Sequence, residues 1–291
     1  LNNKTSRKFI KPHTPQWKRN LIILSRKNSA RIGGAILLII ILTAIFAPFI
    51  ATHDPYKMDI INRLTPPGED FILGSDNMGR DIFSRIIYGT RITLQIGFIA
   101  VTIGLVIGLF FGLLTGYLGG VFDLVFMRFV DVLMAFPPFL LALAIVAVLG
   151  PSLTNAMIAV GIGGLPIFIR TIRSATMEAK VEDYVEASIA QGASTSRVLI
   201  KHILPNITSP IIILVTLRFP VAILSAAALS FIGLGAQPPT PEWGALLVGA
   251  RAYIRAAPWV VNYPGLAIMI TVLAFNLLGN ALRDVFDPRV R

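Results

Sequence analysis

The chain has 291 residues, of which 55% are hydrophobic and only 14% charged, with a mean hydropathy of +0.74. Soluble domains carry about 25% charged residues, so this composition excludes a soluble enzyme and a disordered chain and points to an all-α polytopic membrane protein. The net charge is +11, there is no cysteine, and the three histidines, His13, His53 and His202, lie far apart. No disulfide, thiol chemistry or His-built metal site is expected from such an inventory.

Residues 1–31 hold nine Lys/Arg and no acid. They read as a basic cytoplasmic segment that sets topology and lies on anionic headgroups. The charge in this setting does not call for a nucleic-acid partner. A spanning helix needs about 20 apolar residues, and 32–51 is the first such run. Its leader and apolar stretch are both too long for a cleaved signal peptide, so the run is expected to stay as a helix.

The connection 52–91 carries five Lys/Arg and six acids. Within it Asp76, Arg80, Asp81 and Arg85 are candidates for an external gate or docking surface. They serve equally as braces of the loop, because exposed charges alone seldom make a hot spot. The second span, 92–118, is uncharged and places Gly104, Gly108, Gly112 and Gly116 on one face. Such a stripe predicts close backbone packing, since lipid supplies no hydrophobic drive for helix association.

The third span runs over about 124–149. Arg128 and Asp131 near its start are three residues apart and are expected to pair. Pro137-Pro138 should bend it, and Pro166, Pro220 and Pro264 should bend later spans. The fourth span covers 153–169. The connection 170–208 lacks Gly and Pro from Thr171 to Gln191, which predicts a helix. Gly192 then reads as its C-cap, Ser194 or Thr195 as the N-cap of a second short helix to about Ile203, and Pro205 as its stop. The product is a helix–turn–helix elbow on the membrane face.

The fifth span, 209–233, contains Arg218 about ten residues in, roughly 15 Å deep by the helical rise. The Arg218 side chain can snorkel to an interface, or it can face an aqueous path and meet a substrate carboxylate or an acid of a partner subunit. With Asp131 it is a candidate for the translocation path, since charges inside spans are functional by default. The connection 234–261 follows, then the last span, 262–282. Six spans with the N-terminus inside put eighteen Lys/Arg on the cytoplasmic side and seven outside. The positive-inside rule therefore places both termini in the cytoplasm. The chain lacks a phosphate-cradling G-x-x-x-x-G-K-[ST] loop and the H-E-x-x-H and G-x-S-x-G motifs. Any ATP is expected on another chain.

EASIAQGASTSRVLIKHILPN, from Glu186 to Asn206, resembles the EAA loop of binding-protein-dependent ABC importer permeases. Glu186, Ala187, Gly192, Leu204 and Pro205 match that pattern, with Ser188 in place of its second Ala. LGSDNMGRDIFSRIIYGTR (73–91), AFPPFLLAL, SFIGLGAQPPTPEWG and AFNLLGNALRDVFDPR narrow the resemblance to the second permease of the dipeptide, oligopeptide and nickel subfamily. The chain departs from it at Asn280, where that subfamily usually has Asp. The resemblance covers about residues 30–291 and implies a type I importer permease fold over 32–291. It implies a second, homologous permease as partner, two ATPase subunits that bind ATP and Mg, and an external binding protein. It implies that the elbow 186–203 is a coupling helix seated in an ATPase. Glu186, Ala187 and Ser188 would meet that partner, together with the turn at Gly192, Ala193 and Ser194, then Arg197, Leu204 and Pro205. The cargo implied is a dipeptide or oligopeptide. A nickel or metal-chelate importer and, more remotely, a stand-alone channel are the alternatives.

Overall fold

The computed structural model describes residues 22–286, and these contain no β-strand. Most of the basic N-terminal segment and the last five residues lie outside the described residues. The first long helix, α1, spans Asn28–Ile45. It is followed by α2 (Ile82–Leu118), α3 (Gly120–Met134) and α4 (Pro138–Leu149). Next come α5 (Leu153–Lys180), α6 (Asp183–Ala190) and α7 (Thr208–Phe231). The last two are α8 (Trp243–Ala250) and α9 (Trp259–Phe286).

Among the described residues, α1, α2, α5, α7 and α9 are each long and apolar enough to span a membrane. The sixth crossing is the pair α3 and α4, bent by 86° at the break after Met134. That it crosses follows from the packing of its neighbours. The stripe of α2 lies against α5, with Gly104 and Gly108 on Phe168, Gly112 on Ile172 and Gly116 on Thr176. Contact positions rise together in the two helices, so α2 and α5 run parallel. The chain between them must return the whole length of the bundle, and α3–α4 is the segment that does so.

The α2–α5 seam is close along its whole length. A Cβ built on Gly108 would stand 2.5 Å from Cβ of Phe168, and one on Gly116 2.8 Å from the carbonyl of Arg173. No real side chain fits there, so glycine is required by backbone approach. Ile96, Ala100, Ala156, Ala159 and Phe168 close the core beside this seam. α9 packs on α1 the same way, with Gly33 against the Ala274 carbonyl.

The two ends of the bundle are now defined. At one end Lys27, just before α1, pairs with Asp284 in the last turn of α9 at 2.8 Å. The described chain therefore begins and ends on the same side, where the elbow also lies. At the other end, the connections 46–81 and 232–258 meet.

Several expectations need correction. The prolines act unequally: only Pro137-Pro138 separates two helices, while Pro166, Pro220 and Pro264 sit inside continuous ones. α2 begins ten residues before its apolar run, at Ile82, because Asp81 caps it there. α5 continues past the membrane run to Lys180. The helix expected over Thr171–Gln191 breaks at Val181-Glu182. The connection 234–261 is not plain loop, because its apolar run WGALLVGA forms α8, wedged between α7 and α9.

Candidate functional site

The elbow is built from its buried face outward. Val185, Val198 and Ile203 are fully buried, and Ser188 and Leu199 nearly so. Val185, Val198, Leu199 and Ile203 share one apolar cluster with Ile172 and Ala179 of α5 and with Leu109, Leu113 and Tyr117 of α2. Lys180 Nζ donates to the Tyr117 carbonyl at 2.6 Å and lies over the Tyr117 ring. That contact satisfies a carbonyl left free at the end of α2 and suits its negative pole. The elbow is thus anchored to both helices of that seam.

Its turn has the hydrogen bonds of a Schellman motif. Gly192 N–H donates to the Ile189 carbonyl at 2.9 Å and Ala193 N–H to the Ser188 carbonyl at 3.1 Å. Gly192 has φ +79° and open space around its Cβ position. Glycine is there for conformation, with nothing in this chain to crowd a side chain. Ser194 occupies the N-cap position in extended backbone, but its hydroxyl makes no capping bond. The following segment is α-helical over Thr195–Arg197, a π-helix over Val198–Ile203, and α-helical again over Leu204–Asn206. Pro205 therefore sits within the first residues of that last piece, and the helical path ends at Asn206 instead of Ile203. Such π insertions recur at functional positions.

The residues that carry the EAA resemblance divide by face. Ser188 is buried, and Ala193 and Leu204 are half-buried. Glu186, Ala187, Gly192, Ser194, Arg197 and Pro205 are exposed. Exposed Ile189 and Ile200 lie among them. Glu186 makes no side-chain hydrogen bond or ion pair among the described residues, so its carboxylate is available.

At the opposite end the charged quartet is turned inward. Asp76 accepts from Met78 N–H at 2.8 Å, Arg80 N–H at 3.0 Å and Arg80 Nε at 2.7 Å. Asp81 accepts from Ser84 N–H at 2.9 Å, Ser84 Oγ at 2.6 Å and Thr52 Oγ1 at 3.0 Å. Arg85, 3% exposed, donates from Nη1 to the Pro55 carbonyl at 2.8 Å and from Nη2 to the Pro239 carbonyl at 3.3 Å. It stands 3.5 Å from Asp76. One guanidinium therefore ties the connections 46–81 and 232–258 to the start of α2. Ile60 and Ile61 are exposed at this end, beside exposed charges such as Asp54, Lys57, Arg63, Glu69 and Asp70.

Sequence reading missed Glu242. It is fully buried and caps α8, accepting from Gly244 N–H at 2.9 Å and Ala245 N–H at 2.8 Å. Burial pushes its carboxyl above the usual carboxylate range, against the pull of bonds from Gly244, Ala245 and Ser230. The signal was present: an acid between Pro241 and a short apolar run is a helix start. A cavity of about 450 Å³ lies beside it, bounded by Met58, Asn77, Arg80, Arg85, Gln237 and Tyr253.

Within the membrane, Asp131 does not pair with Arg128. It accepts from Arg170 of α5, and Asp123 accepts two bonds from Arg173 one turn further along. The i,i+3 spacing was favourable, but the longer reach across from α5 places a guanidinium directly on the carboxylate. Two ion pairs thus join α3 to α5, where few side chains pack. Arg218 is half-buried in the middle of α7 and has no hydrogen bond or ion pair among the described residues.

The fold has known relatives. A family model described as "Binding-protein-dependent transport system inner membrane component" matches residues 104–291, and a second, "N-terminal TM domain of oligopeptide transport permease C", matches 15–67. The chain belongs to the inner-membrane permeases of binding-protein-dependent transport systems. A dipeptide transport system permease of Alkalihalophilus pseudofirmus is 46% identical over 275 residues, 94% of this chain and 90% of that one. A di/tripeptide permease of Pseudomonas aeruginosa is 46% identical, covering 91% of this chain and 89% of its own. A glutathione permease of Shigella flexneri is 48% identical, covering 94% and 90%. Among solved structures, an inward-facing MetNI methionine ABC transporter aligns with a TM-score of 0.57 at 21% identity. It covers 70% of this chain and 97% of that one, and the likeness shows that this permease has the ABC importer fold.

Proposed function

We propose that this permease forms half of the pore of an ATP-driven importer for dipeptides or short oligopeptides. The observation that carries the cargo class is the near-full-length identity of 46–48% to permeases named for dipeptides, di/tripeptides and glutathione. All three names describe short peptides, so a nickel chelate is the less favoured reading.

A second permease supplies the other half of the pore. Two ATPase subunits bind ATP and Mg and take hold of the elbow through Glu186, Ala187, Gly192 and Arg197. Ser188, Ala193, Ser194, Leu204 and Pro205 keep that surface in shape. ATP-driven closure of the ATPases moves the elbow, and its anchorage to α2 and α5 carries the motion into the bundle. The pore then exchanges inward-open and outward-open populations according to which contacts each state makes. Asp131 and Arg218 belong to the path. An external binding protein delivers cargo to the end formed by 52–81 and 234–258. There Asp76, Arg80, Asp81 and Arg85 hold the docking surface and external gate in place from within. Both termini are cytoplasmic, in a prokaryotic cell membrane.

Uptake of labelled dialanine by proteoliposomes holding the complete importer tests the reading. ATP-dependent accumulation is expected, and its loss with Glu186→Arg at unchanged membrane insertion. Accumulation of a nickel chelate but of no dipeptide would overturn the cargo class. Orientation is tested with single cysteines, since the chain has none of its own. An impermeant thiol reagent on sealed cells should label Ile61→Cys and spare Ala187→Cys.

A further inference from the structure

Arg218 is the only Asp, Glu, Lys or Arg in α7. It lies ten helical steps from Thr208 and thirteen from Phe231, so each end of the helix is about 15 Å away or more. That is beyond the reach of its side chain, which excludes snorkelling to an interface. It lines a small, partly open cleft whose walls come from four helices: Ala100 of α2, Pro138 of α4, Gly161 and Phe168 of α5, and Ser225 of α7. Arg218 is the one charged group of the cleft, and no carboxylate among the described residues pairs with it.

A guanidinium at this depth is costly unless an anion or water meets it. Its planar fork is matched to a carboxylate. The cleft also sits at the Pro137-Pro138 break, where α4 starts with no side-chain cap, so the positive pole of that half-helix adds to the field of Arg218. The walls are otherwise small or apolar and enclose about 40 Å³, room for a carboxylate head while the rest of the chain end stays outside the open mouth.

We propose that this cleft is a way-station for the terminal carboxylate of the peptide cargo, held by Arg218 near the middle of the membrane. The proposal rests on the peptide-import reading above. The cleft gives a passing peptide an orientation, carboxylate end on α7, and imposes a preference for free acids over blocked ends. Ser225, seven residues after Arg218 and on the same face of α7, stands in the same cleft and reports on its occupancy.

The test is a thiol footprint on the complete importer in membranes, with Ser225→Cys as the single cysteine of this chain. Dialanine at twice its half-saturating concentration should slow labelling about threefold. Dialanine amide at the same concentration should leave the rate unchanged. Adding Arg218→Gln should abolish the protection by dialanine, and Arg218→Lys, which keeps the charge, should retain part of it. Equal protection by acid and amide overturns the proposal. So does protection that survives Arg218→Gln, or no protection by dialanine in an importer that takes it up. If Arg218→Gln does not assemble, Arg218→Lys decides, since loss of the acid-over-amide preference is required there in part and an unchanged preference overturns the role of the fork. An importer that takes up neither peptide fails the underlying reading itself, and uptake measured alongside tells the two failures apart.

Discussion

The two ends of this permease handle polar residues in opposite ways. At the end opposite the elbow, Asp76, Arg80, Asp81, Arg85 and Glu242 are drawn inside and bonded to backbone and to one another. At the elbow end, Glu186, Arg197 and the Gly192 turn remain on the surface, while apolar Val185, Val198 and Ile203 do the anchoring. A buried polar network fixes shape, because each member is expensive to leave unpaired. An exposed polar face on an apolar base leaves its bonds for a partner. The difference predicts that damage at one end shows as lost stability and at the other as lost transport.

The largest stability effect is expected from removing one member of that buried network. Asp76→Ala leaves Arg80 and Arg85 buried beside each other without their carboxylate. A loss on the order of 3–5 kcal/mol follows from stranding a buried charge, measured as a fall in the unfolding midpoint of the purified permease. An unchanged midpoint would erase the contrast between the ends. Next comes the α2–α5 seam: Gly108→Leu must push Phe168 away, and overpacking of this kind costs about 1–3 kcal/mol or more. Recovery of assembled protein at the wild-type level would show that the helices are not so close.

Glu242→Ala removes the cap of α8 and leaves two N–H groups unpaired at its start. About 1–2 kcal/mol is the expected cost, read by the same unfolding measurement. Faster hydrogen exchange confined to Trp243–Ala250 would sharpen the result. Smallest in stability, at under about 1 kcal/mol, is Glu186→Arg. It should nonetheless stop ATP-driven uptake, and a variant that unfolds instead would show that Glu186 belongs to the structure.

Much of this was legible in the sequence for physical reasons that can be named. Six apolar runs, the glycine stripe and the Gly192 turn each follow from local rules of length, spacing and φ. The partner of Asp131 was not legible, because Arg170 is brought to it only by the crossing of α3 and α5. The break at Val181-Glu182 has no Gly or Pro to announce it, and it comes with the burial of Val185 in the cluster that holds Ile172 and Ala179 of α5. The extension of α2 down to Ile82 turned on Asp81 as a cap, a residue that in the linear sequence was one acid among six. α8 escaped because an apolar run of eight is too short to separate from a loop by periodicity.

The claim on which the account most depends is that the elbow is gripped by an ATPase. It is tested most directly by cross-linking from Ala187→Cys, exposed and adjacent to Glu186, in the complete importer. The account predicts an adduct with the ATPase subunit whose yield changes when ATP is added. A fully active importer in which Ala187→Cys forms no such adduct, and joins only to the external binding protein, would contradict it.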